Sequence, residues 1–210
     1  MARTRIRVLC VDDHPTVLEG IALVIECEKD MEVVARATSS EEAVRAFTQQ
    51  RPDVTLMDLR LGQGSGIDAI REIRAIDPAA RIVVFTVARG EEDIHAALEA
   101  GAVTYLLKDS PSGDLVRVLR QVHAGQAPEL SVEVRTSLDN RATRTLLTRR
   151  EHQVLQLVSE GLRNKEIAAV LGIGDETAIA HVRSILAKLE VKDRTAAVNV
   201  ALRRGILHLA

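Results

Sequence analysis

Acidic, hydroxyl and amine side chains end four short apolar runs in the first half of this 210-residue chain. Unbroken apolar runs of four or five residues are typical of strands that are buried on both faces of a parallel sheet. Parallel sheets place their ligand sites beyond the carboxyl ends of the strands, so the polar residues should meet at one edge. These residues are Asp12, Asp13, Asp58, Thr86 and Lys108.

These side-chain types suit the acceptance of a phosphoryl group. Asp58 stands alone at its strand end and is the expected nucleophile, because carboxylates form aspartyl-phosphates. Asp12 and Asp13 form a hard-oxygen pair that suits Mg²⁺. Lys108 would pair with one phosphoryl oxygen, and the hydroxyl of Thr86 would bond to another. Each residue alone is more often a helix cap, a turn residue or a solvated charge, so the hypothesis rests on their conjunction.

Helix-like stretches alternate with the strands and must position these residues. Five successive β-α units predict an α/β fold with a right-handed, five-stranded, parallel, doubly wound sheet. The pattern leaves the strand order open, and 2-1-3-4-5 is the common solution for five strands. The predicted helices cover 15–28, 40–50, 66–76, 91–99 and 112–124, and Met31–Ala37 supplies one further strand.

The pattern changes after Gly125, and three segments are expected: 1–125, a linker at 126–145 and an all-α domain at 146–210. Within the linker, one short helix is expected at 131–138. The last segment predicts a small four-helix domain with a short helix, a glycine-bearing turn and a longer helix, as in a helix-turn-helix. The first of its helices is expected to begin at a capping box formed by Thr148 and Glu151. The other three are expected over 164–171, over 176–190 with Asp175 as the cap, and over 194–204.

Charge differs between the two parts. Residues 1–140 carry a net charge of −7 and residues 141–210 carry +5, which makes the second part a candidate for binding nucleic acid. No stretch resembles a signal peptide or reaches the length of a membrane span, so a cytoplasmic protein with no membrane partner is expected. Cys10 and Cys27 show no metal-binding spacing.

Residues 5–125 resemble the receiver domain of two-component response regulators, whose fold is flavodoxin-like. The resemblance implies that a cognate histidine kinase phosphorylates Asp58. It also implies that Asp13, Asp58 and the backbone carbonyl of Arg60 ligate Mg²⁺, with Asp12 assisting. The matching segments are Val11-Asp12-Asp13-His14, Leu56-Met57-Asp58-Leu59-Arg60, Phe85-Thr86 and Tyr105-Leu106-Leu107-Lys108-Asp109.

Two further expectations follow from this resemblance. Thr86 and Tyr105 match the pair that rearranges on activation, in which the hydroxyl moves toward the phosphoryl group and the ring turns inward. Receivers usually have a proline near position 62, where this chain reads Gly62-Gln63-Gly64-Ser65-Gly66. Because glycines leave the backbone permissive, we expect weaker Mg²⁺ binding than in a Gly62→Pro variant.

Residues 146–210 resemble the LuxR-type helix-turn-helix of the NarL/FixJ subfamily. The match includes Leu147-Thr148, Arg150-Glu151, Asn164-Lys165-Glu166-Ile167-Ala168, Leu171-Gly172-Ile173, His181-Val182 and Lys188-Leu189. On the second helix of the motif, Ala178, Val182, Ile185 and Leu189 form the expected buried stripe. The expected DNA-contacting residues are Lys165, Thr177, Ile179, Ala180, Arg183, Ser184 and Lys188.

Roles on this helix follow from residue type. Arg183 is the best candidate for a base contact, whereas Thr177, Lys165 and Lys188 suit phosphates. Relatives usually carry lysine where this chain has Ile179, which could either meet a thymine methyl group or pack at the edge of the core. Asp175 and Glu176 face an incoming phosphate unfavourably, so the isolated domain is expected to bind DNA weakly and with a strong salt dependence, and dimerisation on paired half-sites would compensate.

Three functions are consistent with these sequence features. The first is a transcription factor in which the unphosphorylated receiver masks the helix-turn-helix and phosphorylation of Asp58 releases it and favours a homodimer on double-stranded DNA. In the second, the receiver binds partners while DNA reading is degenerate. The third, an enzyme acting on external phosphates, lacks a second acceptor-like carboxylate, so no catalysis beyond the chain's own phosphorylation and dephosphorylation is expected.

Overall fold

The computed structural model describes residues 5–62 and 64–208. It divides into two compact units. One contains the residues up to Ala88 together with Ile94–Arg135, and the other contains Arg89–Asp93 together with the residues from Thr136 onward. Across these described ranges, the helices are all too short or too polar to cross a membrane.

The first unit is built on a five-stranded parallel sheet with the order β2-β1-β3-β4-β5. This confirms the predicted fold class and the common strand order. Every residue of β3, β4 and β5 is buried, because helices cover both faces of the sheet. The strands are β1 (Ile6–Val11), β2 (Met31–Ala37), β3 (Val54–Met57), β4 (Ile82–Thr86) and β5 (Thr104–Leu107).

Five helices alternate with these strands within about two residues of the predicted positions. Inward residues of α1 and α5 pack with side chains of the sheet in one apolar cluster. Ser39 caps α2 by accepting from the backbone N–H of Glu42, and the carboxylate of Glu42 accepts from the backbone N–H of Thr38. The helices are α1 (Pro15–Glu26), α2 (Ser40–Gln50), α3 (Gly66–Ile76), α4 (Glu91–Glu99) and α5 (Ser112–His123).

The remaining part of the chain is helical. Helix α6 lies inside the expected linker and is longer than the predicted 131–138 helix. The capping box of Thr148 and Glu151 is confirmed at the start of α7. The predicted Asp175 cap is wrong, because Gly174 occupies the cap position and Asp175 is the first residue of α9. The helices are α6 (Val132–Ala142), α7 (Arg149–Ser159), α8 (Asn164–Leu171), α9 (Asp175–Leu189) and α10 (Arg194–Arg203).

Candidate functional site

The carboxyl edge of the sheet brings the predicted acidic residues and the lysine together. Asp12 follows β1 and is 1% exposed, and Asp58 follows β3 and is 3% exposed. Lys108 follows β5, and its Nζ lies 2.5 Å from Oδ2 of Asp12 and 2.5 Å from Oδ2 of Asp58. The pairing of β4 with β5 sets this position, since the backbone N–H of Lys108 donates to the carbonyl of Thr86 at 3.0 Å.

The charge of Lys108 offsets part of the charge of the two buried carboxylates. Burial of the ammonium group lowers the pKa of Lys108, but its close ion pairs with Asp12 and Asp58, the second of which is also a hydrogen bond, outweigh burial, so the pKa is raised overall. Lys108 therefore remains protonated at neutral pH. It holds the carboxylate of Asp58 in a fixed place at the edge of the sheet.

Atoms of the types that bind metal ions form a group at the same edge of the sheet. One ligand atom each from Asp12, Asp13 and His14 lie within 4.8 Å of one another. Oδ1 of Asp12 accepts from the backbone N–H of His14, whereas its buried Oδ2 makes no hydrogen bond of normal geometry and has only the nearby charge of Lys108. Buried carboxylate oxygens with spare acceptor capacity fit a hard divalent cation.

His14 is a member of this group that the sequence analysis quoted but gave no role. Its Nδ1 lies 2.7 Å from Oδ1 of Asp13, and its side chain is mostly exposed. The signal that could have found it is its position directly after the acidic pair, at the point where β1 ends.

The loop after Asp58 is held against the side chain of Asp58 by a hydrogen bond. The backbone N–H of Arg60 donates to Oδ1 of Asp58 at 3.3 Å, and Arg60 pairs with Ser65 across the loop. A Cβ on Gly66 would lie 2.0 Å from the carbonyl oxygen of Asp58, so only glycine fits there. This role of Gly66 is not visible in the sequence, because a close backbone approach leaves no periodic signal.

The comparison with a Gly62→Pro variant had a wrong basis. Gly62 has a φ of 47°, which proline cannot adopt because its ring fixes φ near −65°. A proline at this position would distort the loop, so the variant does not isolate the effect of glycine flexibility on Mg²⁺ binding. Gln63 lies outside the described residues.

The expected switch residues are linked through one residue. The Thr86 hydroxyl accepts from the backbone N–H of Ala88 at 3.3 Å, and the Tyr105 hydroxyl donates to the carbonyl of Ala88 at 3.0 Å. Both side chains are buried, so the Tyr105 ring is turned inward in this structure. A movement of the Thr86 hydroxyl would therefore disturb the segment that holds Tyr105.

Helices α8 and α9 form the helix-turn-helix of the second unit. Gly172 ends α8 in a left-handed conformation with φ of 63°, and the buried stripe of Ala178, Val182, Ile185 and Leu189 on α9 is confirmed. The expected DNA-contacting residues have two different environments. Lys165, Thr177, Ala180 and Arg183 are exposed, and Ile179, Ser184 and Lys188 are half-buried.

A buried carboxylate on α7 holds two of the half-buried residues. Oε1 of Glu151 accepts from the Ser184 hydroxyl at 2.7 Å, and Oε2 accepts from Nζ of Lys188 at 2.7 Å. Burial raises the pKa of Glu151, but the hydrogen bonds from Lys188, Ser184 and Thr148 outweigh it and lower the pKa to about 2. Ser184 and Lys188 thus have a partner inside the domain, and their contact with DNA stays a prediction.

Residues 8–120 match the response regulator receiver domain. The chain belongs to the response regulator family. Residues 145–201 of this response regulator match the model described as bacterial regulatory proteins, luxR family. It therefore combines a receiver with a helix-turn-helix of a transcriptional regulator.

Relatives share this organisation over nearly the whole chain. The response regulator protein VraR of Staphylococcus epidermidis is 34% identical over 206 residues, which cover 96% of this chain and 99% of that protein. RcsB of Salmonella enterica serovar Typhimurium, bound to the promoter P1flhDC with the phosphomimetic BeF3⁻, is 27% identical with a TM-score of 0.72, covering 94% of this chain and 98% of RcsB. A structure of two RcsB dimers bound to two parallel DNAs has 26% identity and a TM-score of 0.69, covering 95% of this chain and 99% of RcsB.

Proposed function

We propose that Asp58 is the phosphoryl acceptor of this response regulator and that its phosphorylation by a cognate histidine kinase controls DNA binding. One observation carries the proposal. The buried carboxylate of Asp58 lies at the carboxyl edge of the sheet, 2.5 Å from Nζ of Lys108, with Asp12 on the same ammonium group.

Each residue of the acceptor site has a separate task in this proposal. An oxygen of Asp58 attacks the phosphorus atom and forms an O–P bond, while the bond between phosphorus and the donor breaks. Lys108 shifts from the carboxylate to a phosphoryl oxygen, and the Thr86 hydroxyl donates to another. Asp13, Asp58 and the Arg60 carbonyl would hold Mg²⁺ with help from Asp12, and bound Mg²⁺ neutralises charge on the phosphoryl oxygens.

The signal leaves the site through Ala88. When the Thr86 hydroxyl turns toward the phosphoryl group, it gives up the N–H of Ala88, and the carbonyl of Ala88 is the partner of the Tyr105 hydroxyl. Thr86 and Tyr105 are therefore the switch pair of this receiver. The chain carries out its own phosphorylation and dephosphorylation and no other catalysis.

The output is sequence-specific binding to double-stranded DNA through α9. Lys165 and Thr177 are exposed and contact phosphates, and Arg183 contacts a base. Ile179 and Ala180 lie on the surface of α9 that approaches DNA. Ser184 and Lys188 contact the DNA backbone and keep their hydrogen bonds to Glu151. Phosphorylation favours a homodimer, as the paired half-sites of such motifs require.

The domain boundaries in this proposal are 1–125 for the receiver, 126–145 for the linker and 146–210 for the DNA-binding domain. The protein acts in the cytoplasm.

Labelling with a small-molecule phosphodonor and Mg²⁺ tests the acceptor assignment. We expect the full chain to gain one phosphoryl group, which intact-mass measurement detects and peptide mapping places on Asp58. Asp58→Asn should gain none, while the exposed control Asp139→Asn should be labelled like the wild type. Equal labelling of Asp58→Asn would contradict the assignment.

A further inference from the structure

One strip of α9 faces away from the core of the helix-turn-helix. Glu176, Ala180, Arg183 and Ala187 follow one another at spacings of four, three and four residues, and all four are exposed. They lie opposite the buried stripe of Ala178, Val182, Ile185 and Leu189. Because the N-terminal part of a recognition helix contacts base edges, Glu176, Ala180 and Arg183 are the members of this strip that are placed to read sequence.

The chemistry of the strip is unusual for a surface that meets a polyanion. It carries one acidic and one basic side chain, and the acidic one comes first, in the first turn of α9. Glu176 has no side-chain hydrogen bond or ion pair with any other described residue. A carboxylate in this place is repelled by phosphates, so it favours DNA binding only where a base edge donates a hydrogen bond to it.

Cytosine is the base that suits such a carboxylate. Its major-groove edge offers the N4 amino group as a donor, whereas guanine offers acceptors and adenine places its N7 acceptor beside its amino donor. Ala180 follows Glu176 by about 6 Å along the helix axis and Arg183 follows by about 4.5 Å more, so the three side chains reach neighbouring base pairs. The small Ala180 and Ala187 let the helix backbone come close to the bases.

We propose that Glu176 is a specificity-determining residue of this response regulator, accepting a hydrogen bond from the N4 amino group of cytosine. In the same half-site, Ala180 contacts the methyl group of a thymine and Arg183 contacts a guanine. The proposal rests on the proposed function, since it specifies how α9 reads DNA. It gives the exposed acid on the recognition helix a role that lowers general affinity and raises selectivity.

The competing role of Glu176 is local. A carboxylate in the first turn stabilises a helix through its dipole, whatever DNA is bound. Asp175 is in the same turn and supplies this stabilisation as well. The two roles differ in one measurable property, because only base reading makes the preferred DNA sequence depend on residue 176.

Selection from a pool of random-sequence duplex DNA tests the proposal. The full chain, treated with a phosphodonor and Mg²⁺, is compared with Glu176→Gln and with Glu160→Gln, which makes the same charge change at an exposed residue outside α9. We expect wild type and Glu160→Gln to select the same C·G pair in each half-site. Glu176→Gln should select A·T there, because glutamine bonds to both N6 and N7 of adenine, with a change in relative affinity of about tenfold.

Uracil substitution supplies a second measurement on the selected site. Replacing the neighbouring thymine by uracil removes only the methyl group, and we expect wild-type affinity to fall about threefold. An unchanged preference in Glu176→Gln, with only a general gain in affinity like that of Glu160→Gln, would overturn the inference and leave the proposed function standing. If the wild type selects no sequence at all, the proposed function and the inference both fail.

Discussion

Lys108 joins two buried carboxylates whose charges would otherwise repel each other. Its Nζ lies 2.5 Å from both Asp12 and Asp58, and its side chain is itself largely buried. Removing one member of such an arrangement leaves charge without a partner, which costs more than the arrangement contributes when complete.

Replacement of Lys108 by methionine should lower the stability of the receiver by about 3 kcal/mol. Added Mg²⁺ should recover part of this loss, because a divalent cation held by the same carboxylates reduces their repulsion. Urea unfolding followed by the fluorescence of Tyr105, the only tyrosine in a chain without tryptophan, measures both effects. The exposed control Lys29→Met should show neither, and a Lys108→Met protein as stable as the wild type without Mg²⁺ would contradict this view of the site.

Gly66 offers a second test at the same scale. A methyl group on this residue would overlap the backbone carbonyl of Asp58, whereas a Cβ on Gly113 meets no atom within 4 Å. Both glycines lie in the first turn of a helix, so they form a matched pair.

We expect Gly66→Ala to lose about 2 kcal/mol of stability and to slow labelling of Asp58, since the acceptor backbone must move. Gly113→Ala should keep or slightly raise stability, because alanine favours a helix over glycine. Urea midpoints and labelling rates of the two variants check this. Equal stabilities and equal labelling rates in the two variants would show that the loop moves to accept the methyl group without loss of stability.

At the scale of elements, Glu151 ties α7 to the recognition helix. One carboxylate caps the first turn of α7 and also accepts from Ser184 and Lys188 on α9. The local pattern predicted the capping box, but no local pattern reports contacts to residues 33 and 37 positions away. The orientation of α9 relative to α7 is thus a tertiary property.

Glu151→Gln should lower the stability of the helix-turn-helix by about 2 kcal/mol at neutral pH. The folded pKa of about 2 lies below the ordinary value of 4.5, so this stabilisation is complete above pH 4.5 and is lost as the pH falls toward 2. Urea unfolding followed by far-ultraviolet circular dichroism should show the difference from wild type shrinking over that range. The Tyr105 fluorescence transition of the receiver serves as the internal control, and a difference that is constant down to pH 2 would contradict the role of the carboxylate charge.

Lys165 and Arg183 should affect DNA binding in different ways. If Lys165 contacts a phosphate as proposed, Lys165→Ala should lower the affinity for all sequences alike and weaken the salt dependence by about one counterion. Arg183→Ala should relax the preference at one base pair of each half-site by about tenfold. Titrations of selected and random duplexes at several salt concentrations separate the two effects. Identical losses in both variants would argue against the assignment of Arg183 to a base.

At the scale of the whole molecule, the sequence predicted the elements well and the loop geometry poorly. Apolar runs and helical periods placed all five strands and the receiver helices, because both signals reflect burial within single elements. The positive φ of Gly62 and the close approach at Gly66 depend on the path of the loop, which composition does not determine. The meeting of Asp12, Asp58 and Lys108 at one edge was predictable, because parallel strands place the residues that follow them at the same edge of the sheet.

Coupling between Asp58 and DNA binding is the central claim, and titration of the full chain on a selected duplex tests it most directly. With a phosphodonor and Mg²⁺, we expect the affinity of the wild type to rise at least tenfold and the protein to bind as a dimer. Asp58→Asn should keep its unstimulated affinity under the same conditions. An Asp58→Asn protein that gains affinity as the wild type does would contradict the account.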